Sequence, residues 1–151
     1  EEDIETVLEI GSSSGGGSTE AFVTGLRENQ QNPKLICMEV SKVRFAELIK
    51  WYENDSFVRC YNVSSISLEK FPKKAEVINF YSNTQNNLRA YPLEQVLGWL
   101  EQDIEYVSKS GVANDGIQQI KQENNIEFFD LVLIDGSEFT GSAVLDEVYG
   151  A

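Results

Sequence analysis

The sequence predicts an α/β fold in which a mostly parallel sheet lies between layers of helices. Four short apolar runs are typical of buried strands, and two stretches of helical periodicity separate the first three of them. Strands and helices that alternate in this way form right-handed crossovers between parallel strands. The chain has 151 residues, 41% of them hydrophobic, which suits a single domain with one continuous core.

The elements follow from local patterns along the chain. The apolar runs predict strands at residues 6–10, 35–38, 57–61 and 129–134. Apolar residues that recur at helical spacing predict helices at residues 18–29 and 42–54.

A long segment, residues 69–127, separates the third strand from the fourth. Its length exceeds what one crossover connection between parallel strands needs, so we expect a helical insertion within the single domain 1–151. Such an insertion either forms a lid or wall of a substrate pocket or is a surface elaboration. Residues 75–81 could form a further strand. Helices are predicted at residues 92–108 and 115–123.

Two aromatic residues of this segment, Tyr81 and Tyr91, are candidates to line a substrate pocket. The chain starts at Glu1 and stops at Ala151, each close to a predicted element or an apolar stretch. We therefore expect it to be a piece of a longer protein, with the later edge of the sheet missing.

Composition excludes several classes of function. The formal charge of −13 disfavours binding to nucleic acid or to anionic membrane surfaces, and no apolar run approaches the length of a membrane span. Without histidine there is no Ser-His or Cys-His pair, no His-ligated zinc and no imidazole base. Any metal would be a hard cation on carboxylate oxygens. Cys37 and Cys60 are expected to be buried, reduced thiols of a cytoplasmic protein.

A glycine- and serine-rich loop follows the first predicted strand, between Ile10 and Ser18. A flexible linker has this composition, but here a buried strand leads directly into the loop and a helix follows without a spacer. The pattern therefore predicts a tight bend at the carboxyl end of a parallel strand, where ligands bind in such sheets. A triphosphate loop would need lysine where Gly17 stands, and a dinucleotide loop would need glycine where Ser13 stands.

Glu9, Gly11 and Gly15 give the pattern Glu-x-Gly-x-x-x-Gly. This resembles motif I of the class I S-adenosylmethionine-dependent methyltransferases, with Ser13 in place of the middle glycine. The resemblance implies a Rossmann-like three-layer sandwich with strand order 3-2-1-4 in this chain. It also implies that the loop, including Ser12, wraps the methionine end of S-adenosylmethionine, and that the acidic residue helps to hold both the loop and the cofactor's ammonium.

Residues after the second and third strands are candidates for the nucleoside part of the same site. Glu39 follows the second strand, next to Val40, and a carboxylate there can accept both hydroxyls of a ribose, whether of S-adenosylmethionine or of a nicotinamide cofactor. The family resemblance implies that a small polar residue after the third strand contacts adenine. Asn62 and Ser64 are the candidates.

The fourth strand resembles the family's run that ends in an acid at the mouth of the active site, here Asp135. The resemblance to metal-dependent small-molecule O-methyltransferases implies that Asp135 contacts cofactor or substrate and could ligate Mg²⁺. Without histidine, a catalytic base would be Asp135, Glu138, a lysine or a residue outside this chain.

The expected function is therefore methyl transfer from S-adenosylmethionine to a small-molecule acceptor, with a hydroxyl oxygen favoured. Two alternatives stay open, a NAD-dependent oxidoreductase domain and a non-catalytic cofactor-binding or interaction domain. The piece itself could be inactive although its parent is an enzyme.

Overall fold

A four-stranded, all-parallel sheet forms the centre of the protein, whose computed structural model describes residues 4–150. The strands in chain order are β1 (Thr6–Ile10), β2 (Lys34–Met38), β3 (Val58–Tyr61) and β4 (Leu131–Ile134). Their spatial order is β3-β2-β1-β4, so β1 lies between β2 and β4, and Val7 is paired with both Leu35 and Leu131. The predicted α/β class, the parallel sheet and the order 3-2-1-4 are confirmed.

Six helices surround the sheet within the described residues. They are α1 (Ser18–Arg27), α2 (Lys42–Trp51), α3 (Lys74–Asn83), α4 (Leu93–Ser110), α5 (Gly116–Asn124) and α6 (Gly141–Tyr149). Short 3₁₀ turns occur at Leu68–Lys70 and Asn87–Ala90. In the part of the chain that the structure describes, no helix combines the length and the apolar character needed to cross a membrane.

The two faces of the sheet are covered by different helices. Successive residues of a strand point to opposite faces, so β1 buries Val7 against α1 and α2 and Leu8 against the helices of the other face. The first face packs against Val23 of α1 and Leu48 of α2. The second packs against apolar residues of α4, α5 and α6. Burial on both faces explains why the strands read as continuous apolar runs, and it gives the Rossmann-like three-layer arrangement.

The segment between β3 and β4 differs from the prediction at one place. Residues 75–81, considered as a possible strand, belong to helix α3. The carboxylate of Glu76 accepts a hydrogen bond of 2.7 Å from the backbone N–H of Lys73, which stabilises the start of this helix. Of its apolar residues only Val77 is buried, whereas Ile78 and Phe80 are exposed. The apolar run that suggested a strand therefore consists mostly of residues that do not enter the core.

The rest of the segment forms the predicted helices and divides into two parts. Helix α5 places Ile117 and Ile120 in the core beneath the sheet, so it acts as the crossover helix between β3 and β4. Helices α3 and α4 are the additional part, and they pack against each other. Helix α6 was not predicted, although its buried Val144 and Val148 have helical spacing.

Candidate functional site

A buried carboxylate organises the loop that follows β1. The Glu9 side chain is completely buried, and its Oε2 accepts hydrogen bonds from Ser12 Oγ at 2.7 Å and Thr19 Oγ1 at 2.6 Å. Its Oε1 accepts a bond of 2.6 Å from Ser18 Oγ. A buried charge needs several donors to offset its lost hydration, and three hydroxyls supply them here. The loop is therefore fixed to the strand and to the first turn of α1.

The backbone of the loop adopts conformations that favour glycine. Gly11 has φ +93°, and a Cβ at this position would lie 2.1 Å from the backbone oxygen of Asp135. Ser13 has φ +54°, which is the left-handed region. This serine stands where the methyltransferase motif has its middle glycine. Strand β4 and the loop thus approach each other too closely for a side chain at Gly11.

The first amides of the loop are already used inside the protein. The N–H groups of Gly11 and Ser12 both donate to the backbone oxygen of Met38 at 3.0 Å. The N–H of Ser13 donates to Glu39 Oε2 at 2.8 Å. These bonds connect the loop to the end of β2. They leave none of these three N–H groups for a phosphate.

Gly15 packs against α2 and not against the cavity described below. A Cβ on Gly15 would lie 2.7 Å from Cε2 of Tyr52, and the Tyr52 hydroxyl donates to the backbone oxygen of Gly15. Burial raises the pKa of the Tyr52 hydroxyl, and the nearby carboxylate of Glu20 adds to the shift. The hydroxyl therefore stays protonated and keeps the loop fixed to the helix.

Glu39 lies at the carboxyl end of β2, and 7% of its surface is exposed. Besides Ser13 it binds the N–H of Ser41, which donates to Oε1 at 2.7 Å. Each carboxylate oxygen can accept a second hydrogen bond, so Glu39 has acceptor capacity for a pair of hydroxyls. The Asn62 side chain donates to the backbone oxygens of Glu39 at 2.7 Å and Val40 at 3.0 Å. Asn62 therefore shapes the chain around Glu39.

Ser64 is held by the segment that precedes α5. Its N–H donates to the backbone oxygen of Ala113 at 2.8 Å, and its own backbone oxygen accepts from the N–H of Gly116 at 3.1 Å. The Ser64 hydroxyl donates to the backbone oxygen of Ile66 at 2.8 Å. Its hydroxyl oxygen can still accept a bond, for example from an amino group.

A cavity of about 240 Å³ lies at the carboxyl ends of β1, β2 and β4. Six predicted site residues line it, namely Gly11, Ser13, Glu39, Val40, Ser64 and Asp135. Four others do not line it but support the loops around it, namely Glu9, Ser12, Gly15 and Asn62. Glu9 is completely buried, and the contacts seen for its side chain are those that hold the loop. Its contact with a ligand's ammonium stays a prediction.

Helix α4 supplies one wall of the cavity, which the sequence did not predict. Asp103, Tyr106 and Val107 line the cavity, whereas Tyr81 and Tyr91 do not. The amphipathic pattern of α4 was visible in the sequence, but nothing in it showed that this helix crosses the end of the sheet. Further lining residues not predicted are Arg44, Phe71, Ser137 and Thr140.

The charges around the cavity are mostly negative. Three carboxylates line it, those of Glu39, Asp103 and Asp135, against the single guanidinium of Arg44. Asp103 Oδ2 accepts a hydrogen bond of 2.5 Å from Ser137 Oγ, which joins α4 to the chain after β4. Such a cavity attracts cations and repels phosphates.

A second, more open groove of about 530 Å³ adjoins the cavity and shares Val40 and Tyr106 with it. It runs between the start of α2 and the second half of α4, where Lys42 and Lys109 line it. Small-molecule sites have volumes of about 300–1,000 Å³. Cavity and groove together therefore offer room for a ligand larger than a nucleoside.

The predicted magnesium ligand, Asp135, has no set of partners around it. Within residues 4–150, no group of three or more Asp, Glu, Cys or His side chains is arranged to hold a metal ion. Magnesium usually keeps several waters and takes only one or two carboxylates, so a magnesium ion at Asp135 stays a prediction. We derive no chemical step through a metal.

Cys37 and Cys60 are free thiols that face each other on β2 and β3. Cys37 is buried and lies with Sγ 3.8 Å from Glu9 Oε2, whereas Cys60 is half-buried. A hydrogen bond between the two thiols raises the pKa of Cys37, which burial raises further, and it lowers the pKa of Cys60. Both thiols contribute to the packing between the sheet and α2.

No model of a known protein family matches the chain, and no curated protein matches it.

Proposed function

We propose that this chain is a class I methyltransferase domain that binds S-adenosylmethionine and transfers its methyl group to a hydroxyl oxygen of a small molecule. The observation that carries the proposal is the state of the loop after β1. Its first three N–H groups are bound by Met38 and Glu39, and carboxylates, not cations, surround the cavity beside it. This arrangement suits a ligand that carries positive charge and no phosphate.

The residues of the cavity fit the parts of this cofactor. Glu39 has free acceptor capacity for the two ribose hydroxyls. Ser64 and Val40 offer a polar and an apolar contact for adenine, with the Ser64 oxygen able to accept from its amino group. The sulfonium and the ammonium would lie nearer Gly11 and Asp135, where negative charge favours them.

Asp135 lines the cavity at the end of β4, and we assign it the acid–base role. When bound, the cofactor supplies a methyl group on a positively charged sulfur, which becomes a neutral thioether after transfer. The carboxylate of Asp135 would take the proton that the acceptor hydroxyl loses when its oxygen bonds to that methyl group. The protein otherwise contributes alignment of the two reacting groups and exclusion of water, which can supply much of the rate enhancement.

A nicotinamide cofactor fits the same cavity less well. Its pyrophosphate would need free amides at the end of β1 and at the start of α1 together with a compensating cation. The N–H groups of Gly11, Ser12 and Ser13, at the end of β1, bind Met38 and Glu39 instead. Among the described residues that line the cavity, Arg44 is the only one with a basic side chain.

The test is calorimetric titration of the protein with S-adenosylhomocysteine and, separately, with NADH. We expect binding of S-adenosylhomocysteine alone. Glu39→Gln keeps the size of the side chain and should weaken this binding at least about tenfold, since bonds to a charged acceptor contribute about 1.5–3 kcal/mol. Glu47→Gln changes an exposed residue of α2 and is the matched control.

Two results would contradict the proposal. One is binding of NADH without binding of S-adenosylhomocysteine. The other is unchanged affinity of Glu39→Gln for S-adenosylhomocysteine. Binding of S-adenosylhomocysteine without methyl transfer to any hydroxyl would instead favour a non-catalytic cofactor-binding domain.

A further inference from the structure

Asp103 is a carboxylate that the additional helix α4 brings to the cavity from outside the sheet. Its Oδ2 is held by the hydroxyl of Ser137 at 2.5 Å. The Ser137 oxygen in turn accepts a bond of 3.3 Å from the N–H of Phe139. Among the described residues, no donor binds Oδ1 of Asp103. One oxygen of the carboxylate is therefore fixed in place and the other is available to a ligand.

The position of Asp103 along the sheet separates it from the ribose site. Ser137 lies two residues after Asp135, which follows β4, whereas Glu39 follows β2. Strand β1 lies between them, and neighbouring strands are about 4.8 Å apart, so the ends of β2 and β4 are about 10 Å apart. If the ribose binds at Glu39, the reacting methyl lies toward Asp135, and Asp103 stands on the side from which an acceptor approaches.

We propose that Asp103 selects methyl acceptors that carry a protonated amine. This inference rests on the proposed function and adds the chemical class of the second substrate. An ammonium group can donate to the free Oδ1 while Ser137 holds Oδ2, which keeps the carboxylate from turning away. The bond is charge-assisted and partly shielded from water, and such bonds are about twice as strong as neutral ones.

The same geometry acts against anionic acceptors. A carboxylate or phosphate on the acceptor would approach Asp103 and Asp135 together. Among the described residues, the only basic side chain that lines the cavity is that of Arg44, on α2. Like charges placed this close are unfavourable in a partly buried site. Tyr106 and Phe71 line the same cavity and offer apolar surface for an aromatic or aliphatic body of the acceptor.

The test uses three para-substituted phenols whose short side chains are cationic, neutral and anionic, namely tyramine, 4-ethylphenol and 3-(4-hydroxyphenyl)propionate. Each is titrated into protein saturated with S-adenosylhomocysteine, and binding is followed by NMR. We expect tyramine to bind at least about tenfold more tightly than 4-ethylphenol, with the propionate weakest. Asp103→Asn should remove the preference for tyramine. Glu94→Gln, an exposed change on the same helix, should retain it.

A second measurement tests whether Asp103 instead binds the ammonium group of the cofactor. Affinities for S-adenosylhomocysteine and for methylthioadenosine, which lacks the amino-acid part, are compared in Asp103→Asn and in the unchanged protein. We expect the substitution to alter neither. A loss of affinity for S-adenosylhomocysteine alone would assign Asp103 to the cofactor and overturn the inference.

The failure of this inference and the failure of the proposed function give different results. If S-adenosylhomocysteine binds but tyramine binds no more tightly than 4-ethylphenol, or neither phenol binds, the inference on Asp103 is wrong and the proposed function stands. If S-adenosylhomocysteine itself does not bind, the proposed function is wrong, and this inference with it.

Discussion

The hydroxyl of Thr19 offers the sharpest test of how the loop after β1 is held. Thr19 lies in the first turn of α1, is fully buried, and donates to the carboxylate of Glu9 at 2.6 Å. Thr19→Val replaces the hydroxyl with a methyl group of nearly the same size. The substitution removes one donor from Glu9 and leaves the hydroxyls of Ser12 and Ser18 in place.

The expected loss follows from the kind of bond that is removed. Hydrogen bonds to charged groups contribute about 1.5–3 kcal/mol to the free energy of unfolding. We expect the lower part of that range, about 1.5–2 kcal/mol, because the added methyl group is itself buried and because Glu9 keeps two donors. For a chain of 151 residues this corresponds to a decrease in Tm of roughly 3–8 °C.

The measurement is urea unfolding followed by circular dichroism, with thermal unfolding as a second probe. Thr24→Val is a matched control on the same helix, since Thr24 is exposed and its hydroxyl donates to the backbone oxygen of Glu20 at 2.8 Å. We expect this control to change the free energy of unfolding by less than about 0.5 kcal/mol.

The reasoning would be refuted if Thr19→Val and Thr24→Val were destabilising to the same extent. That result would mean that the buried carboxylate of Glu9 draws no net stability from its hydroxyl donors. The loop would then owe its shape to backbone contacts alone, and the Glu9 side chain would not be what holds it in place.

Two further predictions concern the backbone of the loop and the start of the sheet. Gly11→Ala should lower the free energy of unfolding, measured in urea, by about 3 kcal/mol or more, because the position has a positive φ and the new Cβ would lie 2.1 Å from a backbone oxygen. Gly16→Ala is the control and should be nearly neutral, since a Cβ there meets no atom within 4 Å. The N–H groups of Thr6 and Glu5 lower the pKa of Asp130, so its contribution is present above about pH 4 and is lost as the pH falls through the lowered value. Asp130→Asn should therefore lower the urea midpoint at pH 7, and this difference should narrow below about pH 4.

The sheet could be predicted from the sequence because its strands are buried on both faces. Burial on both sides leaves a run of apolar residues with no alternation, as in Leu35 to Met38, and few other local structures give such a run between helices. The helix α3 could not be predicted in the same way. Its residues Ile78 and Phe80 are apolar but exposed, so the sequence there carries β-branched and aromatic residues without the burial that makes them informative.

The part of the candidate site that lies at the ends of neighbouring strands could be predicted from the sequence. Gly11, Glu39 and Asp135 each follow a strand directly, and the parallel topology alone brings the ends of β1, β2 and β4 together. Asp103 and Tyr106 reach the cavity through the packing of α4 across the sheet. That packing depends on contacts between residues far apart in the chain, and no local pattern encodes it.

The hydrogen bonds that make the loop rigid also determine which ligands it can bind. A glycine-rich loop after the first strand binds phosphate when its N–H groups are left free and a cation compensates the charge. Here Met38 and Glu39 bind the first three of those N–H groups, from Gly11 to Ser13, and carboxylates line the cavity beside them. Whether a glycine-rich loop suits a phosphate or a cation therefore depends less on its glycines than on whether its backbone N–H groups are free. By the same reasoning, Glu39→Gln should raise the affinity of the site for anions. The substitution removes a negative charge, and it also weakens the acceptor that holds the N–H of Ser13.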